Sequence, residues 1–171
     1  RALGYEVTLL NCNLETVSTD YDLCDRLVFD EVSIETVLEL RDFERASGND
    51  FVGTIVAMGG QTPNRLALPL SRAGVRLLGT PPESIDRAED RAKFSALCDA
   101  LAIDQPRWME AGRIESIETA VQALGGFPVL VRPSYVLSGA AMRVAHSLPE
   151  LLRYLQTATQ VSPEHPVVVT K

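Results

Sequence analysis

Histidine, cysteine and long apolar runs are scarce in these 171 residues, and each scarcity excludes a class of function. His146 and His165 lie far apart among proline or apolar neighbours with no carboxylate pattern around them, so a turn or surface role outweighs a metal role. Cys12, Cys24 and Cys98 are too few and wrongly spaced for a zinc knuckle, a Cys-x-x-Cys pair or a disulfide framework; they read as reduced cysteines of an intracellular protein. No apolar stretch approaches a membrane-spanning length of about 20 residues, and the first residues show no secretory pattern. Neither a Walker loop nor a Gly-x-Gly-x-x-Gly fingerprint is present. The formal net charge of −7 argues against a broad nucleic-acid surface, although a few local arginines suffice to hold a nucleotide's phosphates.

What is present is ample apolar material. Hydrophobic residues make up 46% of the chain, enough for a core in one ordinary domain or two small modules. The first part alternates strands and helices. Arg1 to Gly4 reads as the last turn of a helix, followed by a strand over 6–11; further strands are expected over 53–58 and 75–78. A helix from Ser33 would bury Ile34, Val37, Leu38 and Leu40 and turn Glu35 and Glu39 to water. Another follows Thr62-Pro63, with Leu66, Leu70 and Ala73 on one side. This order indicates a parallel α/β sheet.

Pro81-Pro82 punctuates the chain, and one helix is expected from Ser84 towards Leu101. Ile85, Ala88, Ala92, Phe94, Leu97, Cys98 and Leu101 would supply its apolar side, with Glu89 and Lys93 paired one turn apart. After Pro106 the pattern becomes α+β. A short strand at Trp108-Met109 precedes a helix through Ile117, Ala120, Val121 and Leu124 that ends at Gly125-Gly126. Strands over 127–132, 142–146 and 167–170 surround a helix over 148–158. A helix before any strand, and a final strand still in progress at Lys171, make both ends read as cut.

The most informative stretch runs from Arg132 to Met142. An apolar strand delivers Arg132 near its end, and Ser134, Ser138 and Gly139 form a compact loop whose backbone N–H groups could approach phosphate oxygens. A permanently charged guanidinium would neutralise and orient such a phosphate. A surface hairpin capped by serine and glycine fits the same spacing. Arg91, four residues after Arg87, offers a second contact, but Asp86, Glu89 or Asp90 could equally hold it in a solvated ion-pair surface. The polar loop 11–22 and the Gly59-Gly60-Gln61-Thr62 turn each follow a strand. Either could line a pocket or simply make a turn.

Four segments together carry a resemblance: Asn11-Cys-Asn-Leu-Glu-Thr-Val-Ser-Thr-Asp20, Gly59-Gly-Gln-Thr-Pro63, Ile85-Asp-Arg-Ala-Glu-Asp-Arg91 and Val131-Arg-Pro-Ser-Tyr-Val-Leu-Ser-Gly139. In order and separation they resemble the large chain of carbamoyl-phosphate synthetase, specifically its carboxy-terminal synthetase half, across essentially the whole sequence. The stretch from Ser162 to Val168 is more similar to eukaryotic forms, including those fused to later pyrimidine-pathway enzymes. Leu14, Val28 and Pro82 depart from the family's usual proline, aromatic and Ser-Pro pattern, and Ser138 replaces a glycine common in bacterial relatives. Leu14 should loosen the first loop by removing a fixed dihedral.

The resemblance implies an α/β fold. Residues 1–82 would form a pre-ATP-grasp, Rossmann-like parallel sheet lacking its first strand, 83–105 a connecting helix, and 106–171 the small α+β lobe of an ATP-grasp domain. It implies that Arg91 and Arg132 contact nucleotide phosphates, and that Ser134, Tyr135, Leu137, Ser138 and Gly139 belong to a loop covering them. ATP and Mg2+ are the implied cofactors, with metal ligands expected beyond Lys171 and none among these residues. Carbamate is the implied substrate. The remaining synthetase domains and a glutaminase subunit or fused glutaminase domain are the implied partners, without nucleic acid or membrane. The setting is cytoplasmic, with mitochondria as the alternative, and the isolated chain is expected to lack turnover. The competing readings are another ATP-grasp carboxylate–amine ligase and a non-catalytic nucleotide-binding or scaffolding segment.

Overall fold

The computed structural model describes residues 1–113, 117–134, 142–161 and 167–171. The chain divides into two compact units, Arg1–Glu83 and Ser84–Lys171.

In the first unit β1 (Thr8–Asn11) pairs in parallel with β2 (Arg26–Phe29), placing Leu9 beside Leu27 and Leu10 beside Val28. Between them the polar loop is tied by its own side chains. Asn11 Oδ1 accepts the Asn13 N–H at 3.1 Å, Asn13 Oδ1 accepts the Glu15 N–H at 2.9 Å, and Thr19 Oγ1 donates to the Thr16 carbonyl at 2.6 Å. These bonds hold the loop even though Leu14, in the proline's place, is exposed. α1 (Ile34–Ala46) begins where Ser33 caps it, its hydroxyl accepting the Thr36 N–H at 3.2 Å; Val37 is buried while Glu35 and Glu39 face outward as expected.

The later part of this unit differs from the strand expectations. Segments 53–58 and 75–78 meet only at a parallel bridge between Thr54 and Leu77. Gly53 (φ 155°) makes this approach possible, because a Cβ there would lie 2.7 Å from the Arg76 carbonyl oxygen. The helix after Gly60 is split into α2 (Gln61–Arg65) and α3 (Ala67–Arg72). Pro69 has no N–H to return to Arg65, which accounts for the interruption. Ala67 and Leu70 are buried while Ala73 is exposed, so the buried stripe is rotated from the expected one. Gly60, not Thr62, occupies the cap position.

The second unit begins with α4 (Pro82–Glu89), whose first two residues belong to the first unit, and α5 (Arg91–Ala100). Its sheet comprises β3 (Trp108–Glu110), β4 (Val129–Pro133), β5 (Arg143–Ala145) and β6 (Val167–Thr170), in the order β3-β6-β4-β5, antiparallel throughout. Helices α6 (Ile117–Leu124) and α7 (Leu148–Val161) cover one face. There Val121, Leu124, Leu151 and Ala158 pack with Val129, Val131, Ala145, Val167 and Val169. Alternation along β4 sends Leu130 and Arg132 to the other face, where α5 lies against β3 and β6. Trp108 Nε1 fixes that side by donating to Asp99 Oδ2 of α5 at 2.8 Å. Gly125 (φ 97°) and Gly126 (φ 80°) close α6, and Lys171 Nζ donates to the carbonyls of Gly125, Gly126 and Pro128 at 3.3, 2.8 and 3.3 Å.

Adjacent leucines on α7 separate packing from exposure: Leu151 is 1% exposed and Leu152 45%. Leu151→Ala should cost about 2–5 kcal/mol in chemical denaturation, whereas Leu152→Ala should stay within about 0.5 kcal/mol of the parent. Equal losses would show that the core is not organised around this face.

Candidate functional site

The expected single helix from Ser84 to Leu101 is broken at Asp90. Helix α4 ends at Glu89, Asp90 takes an extended conformation (φ −78°, ψ 118°), and α5 starts at Arg91. The Asp90 carboxylate caps α5 by accepting the Lys93 N–H at 3.0 Å. Lys93, expected to face Glu89, bridges the break through an ion pair with Asp86. Asp86 and Asp90 are buried at 8% and 0% exposure, while Ala88, Phe94 and Leu101 are exposed, so the helix buries acids where apolar residues were expected. A sequence signal for the break existed in the cap-type aspartate directly preceding the Arg-Ala-Lys turn.

The break gives Arg91 a different environment from Arg87. Arg87 is exposed. Arg91 is half-buried against the end of β4: its backbone N–H donates to Ser134 Oγ at 3.2 Å and its Nε donates to the Pro133 carbonyl at 2.9 Å. Residues 42 and 43 positions apart are thereby joined, bringing Arg91 to the strand terminus that carries Arg132. The Pro133 carbonyl, Asp86, Asp90 and Lys93 are the components that residue spacing alone did not reveal.

The electrostatics are unusual for a surface ion-pair network. Burial, then the neighbouring Arg132 charge, push the Arg91 guanidinium's pKa below its ordinary value, with Glu89 opposing them. Arginine still remains charged at any ordinary pH. The groups receiving Arg91's hydrogen bonds are a carbonyl and a hydroxyl, both neutral. Arg132 Nε is buried and has no hydrogen-bond partner among the described residues. An anion placed here would relieve the repulsion and satisfy that donor together.

Ser134 is buried at 0% exposure behind Arg91. Tyr135, Leu137, Ser138 and Gly139 lie outside the described residues. Within the first unit Gln61 Oε1 is buried without a hydrogen-bond partner among the described residues. A shallow groove bounded by Glu118, Val121, Phe127 and Leu148 lies on the helical side of the second unit, and neither arginine lines it. Among the described residues no three of His, Cys, Asp or Glu are grouped to hold a metal ion, and no helix is long and apolar enough to cross a membrane.

The family of the carbamoyl phosphate synthase preATP-grasp domain matches residues 1–87, and that of the carbamoyl-phosphate synthase L chain, ATP binding domain, matches residues 90–171. The chain belongs to the carbamoyl-phosphate synthase large-chain family. It is 53% identical over its whole length to the multifunctional protein pyr-3 of Neurospora crassa, spanning 9% of that protein. It is 52% identical, again over its whole length, to the carbamoyl phosphate synthase large chain of Hyperthermus butylicus, spanning 15%. The fold resembles the biotin carboxylase domain of Hydrogenobacter thermophilus 2-oxoglutarate carboxylase in complex with MgADP and bicarbonate, with TM-score 0.65 and 16% identity over 99% of this chain and 39% of that one. The fold is therefore mixed α/β of the ATP-grasp kind, a parallel sheet followed by an antiparallel one, and the break at Asp90 falls between the two matched regions.

Replacing Arg132 by methionine keeps the volume while removing the like charge and the orphaned donor. In the ligand-free protein Arg132→Met should stabilise folding by about 1 kcal/mol, or roughly 2–4 °C in thermal midpoint. A lowered midpoint in a thermal melt would show that the guanidinium is already satisfied by the protein.

Proposed function

We propose that this chain is a segment of a longer synthetase, from the carboxy-terminal synthetase half, that phosphorylates carbamate with ATP. The carrying observation is the junction of Arg91 with the end of β4, where two guanidinium groups repel each other beside neutral acceptors and Arg132 Nε is buried without a partner among the described residues. Such a pair suits a polyphosphate tail better than a single weak anion, because each arginine can engage a different set of oxygens.

In this reading a carbamate oxygen attacks the terminal phosphorus of ATP in line, the bond from that phosphorus to the bridging oxygen breaks, and ADP leaves as carbamoyl phosphate forms. Arg132 meets the transferring phosphoryl group, and Arg91 offsets the charge that moves onto the bridging oxygen. The backbone of Tyr135, Leu137, Ser138 and Gly139 closes over the phosphates and excludes water. Mg2+ would bridge phosphate oxygens, but the described residues offer it no donor cluster, and no step of these residues depends on it.

The division of labour is also part of the proposal. Residues 1–82 form the pre-ATP-grasp domain, 83–105 connect, and 106–171 form the small nucleotide-binding lobe, with the rest of the machinery in further synthetase domains. The multifunctional and large-chain relatives support such company, in which a glutaminase subunit or fused domain would supply ammonia for making the carbamate. The protein would work in the cytoplasm or, like a Neurospora crassa relative named as mitochondrial, in that organelle. A different carboxylate–amine ligase rests on the fold likeness alone.

In the intact synthetase Arg132→Ala should lower carbamate phosphorylation by about 10²–10³-fold while the separate bicarbonate-dependent ATP hydrolysis is largely retained. Measuring both rates on one preparation decides it. An unchanged carbamate-phosphorylation rate rejects the assignment of Arg132.

A further inference from the structure

Asp90 is a wholly buried acid at 0% exposure, and a buried charge persists only where it is hydrogen-bonded or paired. It turns the chain at one residue without interrupting the backbone bonds on either side. Its N–H still donates to the Asp86 carbonyl at 2.9 Å, and its carbonyl accepts the Phe94 N–H at 2.8 Å. What the turn releases is the Arg91 N–H, which in a continuous helix would bond to Arg87. That N–H instead donates to Ser134 Oγ, itself at 0% exposure.

Resting on the phosphate reading above, we propose that Asp90 and Ser134 are positioning residues that hold Arg91 at a fixed separation from Arg132 before any nucleotide arrives. Two guanidinium groups left to their side-chain freedom would separate, since each has several rotatable bonds and both carry the same charge. Here Arg91 is gripped at its backbone N–H and its Nε by acceptors that leave its charge uncompensated. Donors fixed in advance need no reorganisation when charge develops during phosphoryl transfer. Ser134 thus acts behind the arginine, not on the ligand. Asp90 sets the helix direction that makes the Ser134 bond reachable.

A mutational cycle in the intact synthetase tests this. Asp90→Ala and Ser134→Ala should each lower kcat for carbamate phosphorylation by about 10- to 100-fold, with KM for ATP changed by less than about threefold. Asp90→Asn keeps the capping oxygen and should recover most of kcat. Adding Asp90→Ala to Arg91→Ala should cause no further loss, because a residue acting only through Arg91 then has nothing to position. By hydrogen exchange, the Arg91 amide should open faster in both alanine variants while the Val131 and Leu151 amides stay protected. Multiplying losses in the double variant, or wild-type kcat with an unchanged Arg91 amide, would overturn the proposal. Should Asp90→Ala fail to fold, Ser134→Ala and Asp90→Asn carry the same comparison. If Arg132→Ala impairs carbamate phosphorylation and these variants do not, only the positioning inference is lost; if Arg132→Ala is itself silent, the phosphate reading has failed.

Discussion

The tie between the first residue of α5 and the end of β4 is the constraint on which the second unit's chemistry depends. Two hydrogen bonds from Arg91, one from its backbone and one from its side chain, connect elements separated by more than 40 positions in sequence. Neither acceptor carries charge, so the bonds restrain the arginine without quenching it. An ordinary salt bridge at the same place would have given comparable rigidity and a neutral surface. The difference decides whether a helix terminus resting on a sheet is scaffold or anion cradle.

The sheet beneath this tie has two unlike faces. One is sealed by α6 and α7 over an aliphatic core, and this face holds β4 in place. The other carries Leu130 and Arg132 on alternate positions of the same strand, with Val168 and Thr170 of the neighbouring strand directly opposite them. Because adjacent residues of a strand point in opposite directions, Val131 can be wholly buried while Arg132 stands on the opposite face. Rigidity on one side and charge on the other are two readings of a single five-residue strand.

How much of this was legible in sequence depended on how local its cause was. Ser33 caps α1 through a hydroxyl three residues from its partner, Gly125 and Gly126 close α6, and the apolar run before Arg132 forms β4; each is decided within a few residues. The four-residue strand β2 was not anticipated, because Arg26 and the acidic residues before it resemble a polar loop, and its pairing with β1 is a long-range event. Segments 53–58 and 75–78 looked like strands by composition, yet share only one bridge. The break at Asp90 was missed for a related reason. Asp86, Glu89 and Asp90 look like the wet side of a helix until β4 supplies a surface against which two of them are buried. The pairing of Arg91 with the Arg132 strand likewise required the tertiary fold, although both arginines could be named from the motifs that contain them.

Lys171 shows a different economy of recognition. Its ammonium reads three main-chain oxygens where α6 gives way to β4, not the side chains displayed there. The turn can therefore change its side chains over evolutionary time without releasing the last residue of the described sheet, so long as the path of the backbone is kept. Sequence variation at that corner is filtered by shape alone, and two glycines that look merely permissive in the sequence become the part of the corner least free to vary.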